Sequence, residues 1–311
     1  MCSTAILAEW GLWHGDFATF GYVFRSPNEI GDDALSVMAE ARRRRIELLV
    51  SLVADPDDPQ VAEAIATVRE LLESTGSHEE LEMTDCILGY GRLSISDDLT
   101  PDPIEMIRSG VKELERLGAD RLPIALAFLA WSSYMMGDFV SCAGSLDHYE
   151  EVAPASGPLP PVVVEGVSIL HELSRMILDG ATPEIRAALR RGFERLRRAT
   201  VPTWFVGPVA NDLLDYGCTD LAAEVSAAVS SVPNVMRAAH QSLQEVDARL
   251  RILRDHDPSA IEDLWALYSE WDAVGRSRRA AASALRCSGT CRQAGLESAA
   301  GRLAAWGTER L

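Results

Sequence analysis

The sequence predicts an all-α fold, an irregular antiparallel array of helix hairpins, on three observations. An Asp or Thr stands before a proline that opens an apolar-periodic run at Asp58-Pro59, Asp102-Pro103, Thr182-Pro183 and Asp257-Pro258. This is the order of an N-cap, whose side-chain oxygen accepts a free helix N–H, followed by an N1 proline that has no intrahelical bond to lose. Between these starts the apolar residues recur at helical spacing, and no run alternates as a strand would. Finally, three pairs of predicted helices are separated by a glycine with a small residue five positions later.

In chain order, Asp33 to Ala54 reads as a helix whose apolar face is Leu35, Met38, Ile46, Leu49 and Val53, with Arg42 to Arg45 as a solvated collar around it. Val61, Ile65, Val68 and Leu72 mark a helix after Pro59, and Ile104, Ile107, Val111 and Leu114 another after Pro103. The longest apolar stretch, Leu122 to Met136, is interrupted by Ser132-Ser133 and falls short of the roughly 20 residues a membrane span needs. It reads as a buried helix. The hairpins are Ala125 to Met136, Gly137 and Cys142; Phe205 to Tyr216, Gly217 and Ala222; and Ile261 to Val274, Gly275 and Ala280. Glycine supplies the tight reversal, and the small residue lets the two helices approach closely.

These residues resemble the tetratricopeptide repeat (TPR), whose hairpin carries Gly-Asp-Tyr at its turn, a small residue soon after, and a proline near its end. The best match is Gly137-Asp138-Phe139 with Cys142, Leu146 and Pro154; Gly15-Asp16-Phe17 repeats the turn, with Phe20 in the small-residue position. The resemblance implies a TPR-like α-solenoid, made irregular because the turn glycines do not keep a 34-residue period. Residues 1–311 are expected to form one such array. Proline-rich 153–161 is either a hinge dividing it into lobes 1–152 and 162–311 or a spacer within one solenoid. The last fifty residues are similar to the helical-repeat segment of large ATP-binding LuxR-type transcription regulators, through Leu264-Trp265, Trp271, Val274-Gly275-Arg276, Ala280-Ala281, Ala284, Ala294-Gly295, Ala299-Ala300 and Leu303. That resemblance implies a regulatory or sensing array. No phosphate-binding loop upstream and no DNA-reading helix pair after Leu311 is expected to accompany it.

Composition narrows the function. The chain has 311 residues, 47% hydrophobic and 24% charged, the balance of a folded globular protein. A net charge of -18 would repel a phosphate backbone, so nucleic acid is not an expected partner. From Arg276 to Leu311 seven arginines stand against Glu297 and Glu309, a local +5 read chiefly as a solvated basic face. The N-terminus lacks the basic region of a secretion signal, so the expected location is cytoplasmic, with no membrane partner and free thiols at the six cysteines.

Catalytic patterns are fragmentary. Lys112 is the single lysine, so no Gly-Lys pair exists for a Walker loop, which needs that charge on the phosphates. Gly89-Tyr90-Gly91 lacks the third glycine of a dinucleotide fingerprint, having Ser94 there, and Ser109-Gly110-Val111-Lys112 lies mid-helix. His171-Glu172 lacks a second histidine four positions on, where Arg175 stands. Cys287 and Cys291 share a helix face without further metal ligands near them in sequence. No enzymatic activity, cofactor or metal is therefore expected.

Aromatic residues are the candidate contact points. Trp131 and Tyr134, then Trp265 and Tyr268, lie three apart on the first helix of a hairpin, and Trp10 and Trp13 repeat the spacing. They either anchor a protein or peptide partner in a groove, with a small apolar effector as the alternative occupant, or pack between hairpins. Function is thus expected to be non-catalytic, regulatory binding of a protein or peptide, with a small-molecule-sensing array of the LuxR-type kind as the alternative and an enzyme with an unrecognised site as the third reading.

Overall fold

A computed structural model describes residues 40–41, 44–45, 47–48, 59–95, 101–199, 203–230, 237–273 and 275–311. Trp10, Trp13, the Gly15-Asp16-Phe17 turn and Asp58 lie outside the described residues. The described residues form an all-α array with no strand. The chain divides into two compact units, residues 1–178 with 191–202, and residues 179–190 with 203–311. Segment 153–161 lies inside the first of them.

In the first unit, α1 (Pro59–Thr75) packs on α2 (His78–Ile95), α2 packs on α3 (Pro101–Leu117) and α4 (Leu122–Met135), and α4 also packs on α3 and on α5 (Phe139–Val152). A 3-10 turn, Ala153–Ala155, then leads to α6 (Pro161–Asp179). The expected buried helix is α4, whose buried residues run from Leu122 to Tyr134 with few gaps because it has neighbours on several sides. The described residues between 40 and 48 are helical, as expected, and Ala41 and Leu48 join a core with Val68, Leu72 and Leu88.

The arginine collar requires a correction. Arg44 is exposed and pairs with Glu40, but Arg45 is only 1% exposed. Its Nη1 donates to Glu80 Oε2 and Thr84 Oγ1, both at 3.0 Å, and Arg121 Nη1 approaches Glu80 Oε2 at 3.1 Å. A buried guanidinium is tolerable when a carboxylate and a hydroxyl satisfy it, and both partners here come from α2.

Helix α7 (Pro183–Ala199) has its first residues in the second unit and the rest in the first. The second unit continues with α8 (Thr203–Asp215), α9 (Thr219–Ser230), α10 (Arg237–Asp255), α11 (Ser259–Ala273), α12 (Ser277–Gln293) and α13 (Glu297–Arg310). Its middle element is α10, which touches α8, α9, α11 and α12. Ile252, Leu264, Leu303, Ala280, Ala284 and Ala300, with both Cys287 and Cys291, form a closed core there.

The glycine-turn expectation has a specific geometry behind it. Gly137, Gly217 and Gly275 take φ of 74°, 70° and 83°, the left-handed conformation that ends a helix without a Cβ penalty. The next residue donates its N–H five positions back, Asp138 to Ser133 O at 2.9 Å, Cys218 to Leu213 O at 2.7 Å, and Arg276 to Trp271 O at 2.8 Å. That residue's own carbonyl then accepts the first bond of the following helix, from Cys142, Ala222 and Ala280. The small residue therefore sits where the second helix meets the first, and all three are fully buried. Gly295 and Ala300 repeat every feature, a fourth hairpin legible from the same spacing.

Helix starts follow their caps with two shifts. Ile185 N–H donates to Thr182 Oγ1 at 3.3 Å, as expected before Pro183. Helix α3 begins at Pro101, two residues before the predicted Pro103, so Asp102 lies inside its first turn and is not its cap; α11 begins at Ser259, whose N–H donates to Asp257 Oδ1 at 2.9 Å. The cap survives while the proline stays just outside the helix.

Two glycines within the catalytic fragments of the first unit, Gly89 and Gly110, lie at a close helix crossing. A Cβ on Gly89 would lie 2.5 Å from Pro103 O, and one on Gly110 would lie 2.6 Å from Cys86 Sγ. These glycines let α2 and α3 cross at close range. Ser109 and Lys112 are exposed on α3.

Candidate functional site

The four candidate aromatics fall in different units, and their environments differ. Trp131 and Tyr134 are buried in the first unit, their rings edge-on with centroids 6.0 Å apart, and Tyr134 meets Phe139 of α5 edge-on at 5.8 Å. Tyr268 is 0% exposed. Such rings contribute to stability through burial and quadrupole geometry. Trp265 alone of the four is only partly buried, and its ring stands edge-on to the half-buried Trp306 of α13 at 5.6 Å. Arg310 lies over Trp306, 4.2 Å from its centroid. This edge of α11 and α13 is the part of the aromatic set that reaches solvent.

A second feature was not anticipated from the sequence: a seam of buried polar groups between α8, α10, α11 and α12. It begins with Arg249, 2% exposed, which donates to Asn211 Oδ1 at 2.8 Å, Thr290 Oγ1 at 2.9 Å and the Asp215 carboxylate. One turn earlier on α10, Glu245 accepts from Ser283 Oγ at 3.2 Å, Tyr268 OH at 3.4 Å and Asn211 Nδ2 at 3.5 Å. Cys287 Sγ lies 2.7 Å from Tyr268 OH and 3.7 Å from Glu245 Oε1. Arg286 reaches Asp212 at 3.1 Å and Asp215 at 3.0 Å.

The electrostatics follow from this placement. Burial, then the Glu245 charge, pushes the Cys287 thiol well above its ordinary range, and burial does the same to the Tyr268 phenol. Burial pulls the Arg286 guanidinium down, but Asp212, Asp215 and Glu245 outweigh it and hold the charge firmly. A thiol kept protonated is a hydrogen-bond donor and not a nucleophile. The juxtaposition of Cys287, Tyr268 and Glu245 thus supplies hydrogen bonding and register, since each group is closed off from solvent.

The basic tail is divided by the same packing. Arg286 and Arg310 pair with Asp212, Asp215 and Asp272, and Arg279 lies over the Trp271 ring at 4.4 Å. Solvated arginines therefore make up only part of it, Arg278, Arg292 and Arg302 being exposed.

At the end of the seam nearest the start of α10, Gln241 Nε2 donates to Glu270 Oε1 at 3.1 Å, and Arg279 Nη2 donates to Ser242 Oγ at 2.7 Å. Among the described residues, Gln241 Oε1 and Trp271 Nε1 are each buried without a hydrogen-bond partner.

Polar helix-interior residues at i, i+4 and i+8, Gln241, Glu245 and Arg249, were the available signal for the seam. Alongside them Leu243, Val246 and Leu250 form a stripe that accounts for one buried face, so the polar set reads as the solvent face until the neighbours are known. Elsewhere, His148 approaches Glu115 at 3.6 Å and His171 approaches Glu150 at 3.3 Å, both near the surface. Among the described residues no group of three His, Cys, Asp or Glu is placed to hold a metal ion, and no helix is long and apolar enough to cross a membrane. Among the described residues, Cys86, Cys142, Cys218, Cys287 and Cys291 are buried thiols outside any disulfide. Neither the protein-family models nor the curated proteins searched contain a match to the chain.

Proposed function

We propose that this chain is a non-catalytic, regulatory helical-repeat module of the TPR-like solenoid kind, acting in the cytoplasm by holding a protein or peptide partner. The observation that carries the reading is the hairpin turn repeated at Gly137, Gly217, Gly275 and Gly295, each with a fully buried small residue five positions on. Repeated hairpins of this kind generate extended surfaces suited to macromolecular partners. The polar seam supports the same reading, because its groups are engaged with one another and do not converge on an accessible reacting atom.

Of the aromatic anchors, Trp265 is the one positioned to meet a partner, with Trp306 beside it. Truncating a central aromatic anchor removes about 2 kcal/mol or more of binding free energy. The test is affinity capture from native lysate, identification of the captured protein, and titration of that protein against Trp265→Ala and Trp131→Ala. At least tenfold weaker binding by Trp265→Ala with an intact melt is expected, whereas Trp131→Ala should lower the melting temperature. Unchanged affinity in Trp265→Ala would remove this edge from the interface. A small-molecule-sensing array is the second reading, favoured by the unpartnered Gln241 and Trp271 atoms.

A further inference from the structure

Every fourth residue of a helix falls on one strip of its surface, and one such strip of α13 reads Ser298, Arg302, Trp306 and Arg310. Trp306 is half-buried and stands edge-on to the partly buried Trp265 of α11, ring centroids 5.6 Å apart. Arg310 lies over the Trp306 ring at 4.2 Å and is held by the Asp272 carboxylate at 3.2 Å. Arg302 is different. It is exposed, its Nη1 donates to Ser298 Oγ at 3.3 Å, and no carboxylate among the described residues pairs with it. A paired-tryptophan surface thus adjoins a guanidinium whose counter-ion is still to be supplied.

We propose that this strip, on the reading that the α11–α13 edge is the partner surface, takes an extended peptide with a carboxylate side chain two residues from a large apolar one. The apolar side chain covers Trp265 and Trp306, and the carboxylate pairs with Arg302. Spacing sets the pattern. Residues four apart on a helix are separated by a rise of about 6 Å, and side chains two apart on an extended chain share a face at about 6.5 Å. Charge sets the direction. Glu262 is exposed one turn before Trp265 and repels a carboxylate laid over α11, while exposed Glu309 stands beside Arg310, which Asp272 already occupies. Arg302 is the guanidinium left for an acid, and it repels a basic peptide. The net charge of -18 does not forbid this, because exposed charges beyond about 8 Å are screened at physiological salt and residues 276–311 are locally basic.

The experiment uses the full chain labelled with nitrogen-15 and reads the indole N–H signals of Trp265 and Trp306, identified by Trp265→Phe and Trp306→Phe. Three synthetic peptides in a glycine-serine background are titrated. The first has glutamate two residues before a central phenylalanine, the second glutamine in place of that glutamate, and the third alanine in place of the phenylalanine. Saturable shifts of both indoles are expected with the first. Binding should weaken about threefold to fivefold with the glutamine peptide, and equally for the first peptide on Arg302→Gln, the size of an exposed ion pair. Arg302→Lys should restore part of the loss, and the melting temperature of both Arg302 variants should be unchanged because the residue is exposed. The alanine peptide should shift neither indole. Equal affinity for the glutamate and glutamine peptides would overturn the acidic specificity while leaving the edge as the partner surface. No saturable shift with any peptide up to about 1 mM would overturn the proposal altogether, and titration of a captured partner against Trp265→Ala then judges the broader reading separately.

Discussion

Glycine plays two physically distinct roles along this chain, and single substitutions separate them. At Gly137 nothing lies within 4 Å of an added Cβ, so the sole obstacle is φ of 74°. Gly137→Ala should cost about 1–2 kcal/mol, the left-handed penalty for an L-residue, and Gly137→Asn should cost less. At Gly207 the backbone is ordinary, but an added Cβ would lie 2.3 Å from Ser242 Cβ. Gly207→Ala should cost about 1–3 kcal/mol through overpacking, and Ser242→Gly should recover part of the loss there and none at Gly137. Chemical denaturation of the single and double variants reads both outcomes. Titrating groups at helix starts give a third expectation. Hydrogen bonds from Ser259 and then Arg251 hold the Asp257 carboxyl below its usual range, and a bond from Ser141 does the same for Asp138. A depressed carboxylate contributes stability above its unfolded pKa and loses it as pH falls through the folded value. Asp257→Asn should therefore flatten the decline of melting temperature below about pH 4. Asp85 opposes this trend, since burial raises its carboxyl and its contribution is lost as pH rises.

At the level of elements, α10 decides the second unit. Its Leu243–Val246–Leu250 stripe was legible as a buried face, and α8, α9, α11 and α12 all reach it. The second buried face, Gln241, Glu245 and Arg249, was not legible, because polar side chains at helical spacing look alike whether solvent or four satisfied partners surround them. Arg249 draws its partners from positions 34 to 41 residues away in sequence. Removing one partner of a buried ion pair leaves the other uncompensated, at about 3–5 kcal/mol. Arg249→Ala should fall near the lower end of that range, because Asp215 is one-third exposed and keeps Arg286. Thermal unfolding measures the loss, and a change under about 1 kcal/mol would show that the seam adds specificity without stability.

For the whole molecule, charge sets the partners that are admissible. The net charge of -18 is carried by a chain whose tail arginines are partly committed to Asp212, Asp215 and Asp272. That commitment reduces the basic surface left for phosphate, so duplex DNA should show no micromolar binding at physiological salt in a fluorescence anisotropy titration. Helix identity, the caps at Thr182 and Asp257 and the glycine turns were determined by the sequence alone, because each depends on residues within one turn of one another. Hairpin closure at Gly295 was equally available from its Ala300. What only the tertiary structure decided is which polar and glycine positions are interior: Arg45 against Glu80, Gly89 against Pro103, Arg249 against Asn211 and Thr290. Burial belongs to contacts between distant helices, and a helical period of 3.6 records one apolar face without recording how many neighbours a helix will acquire.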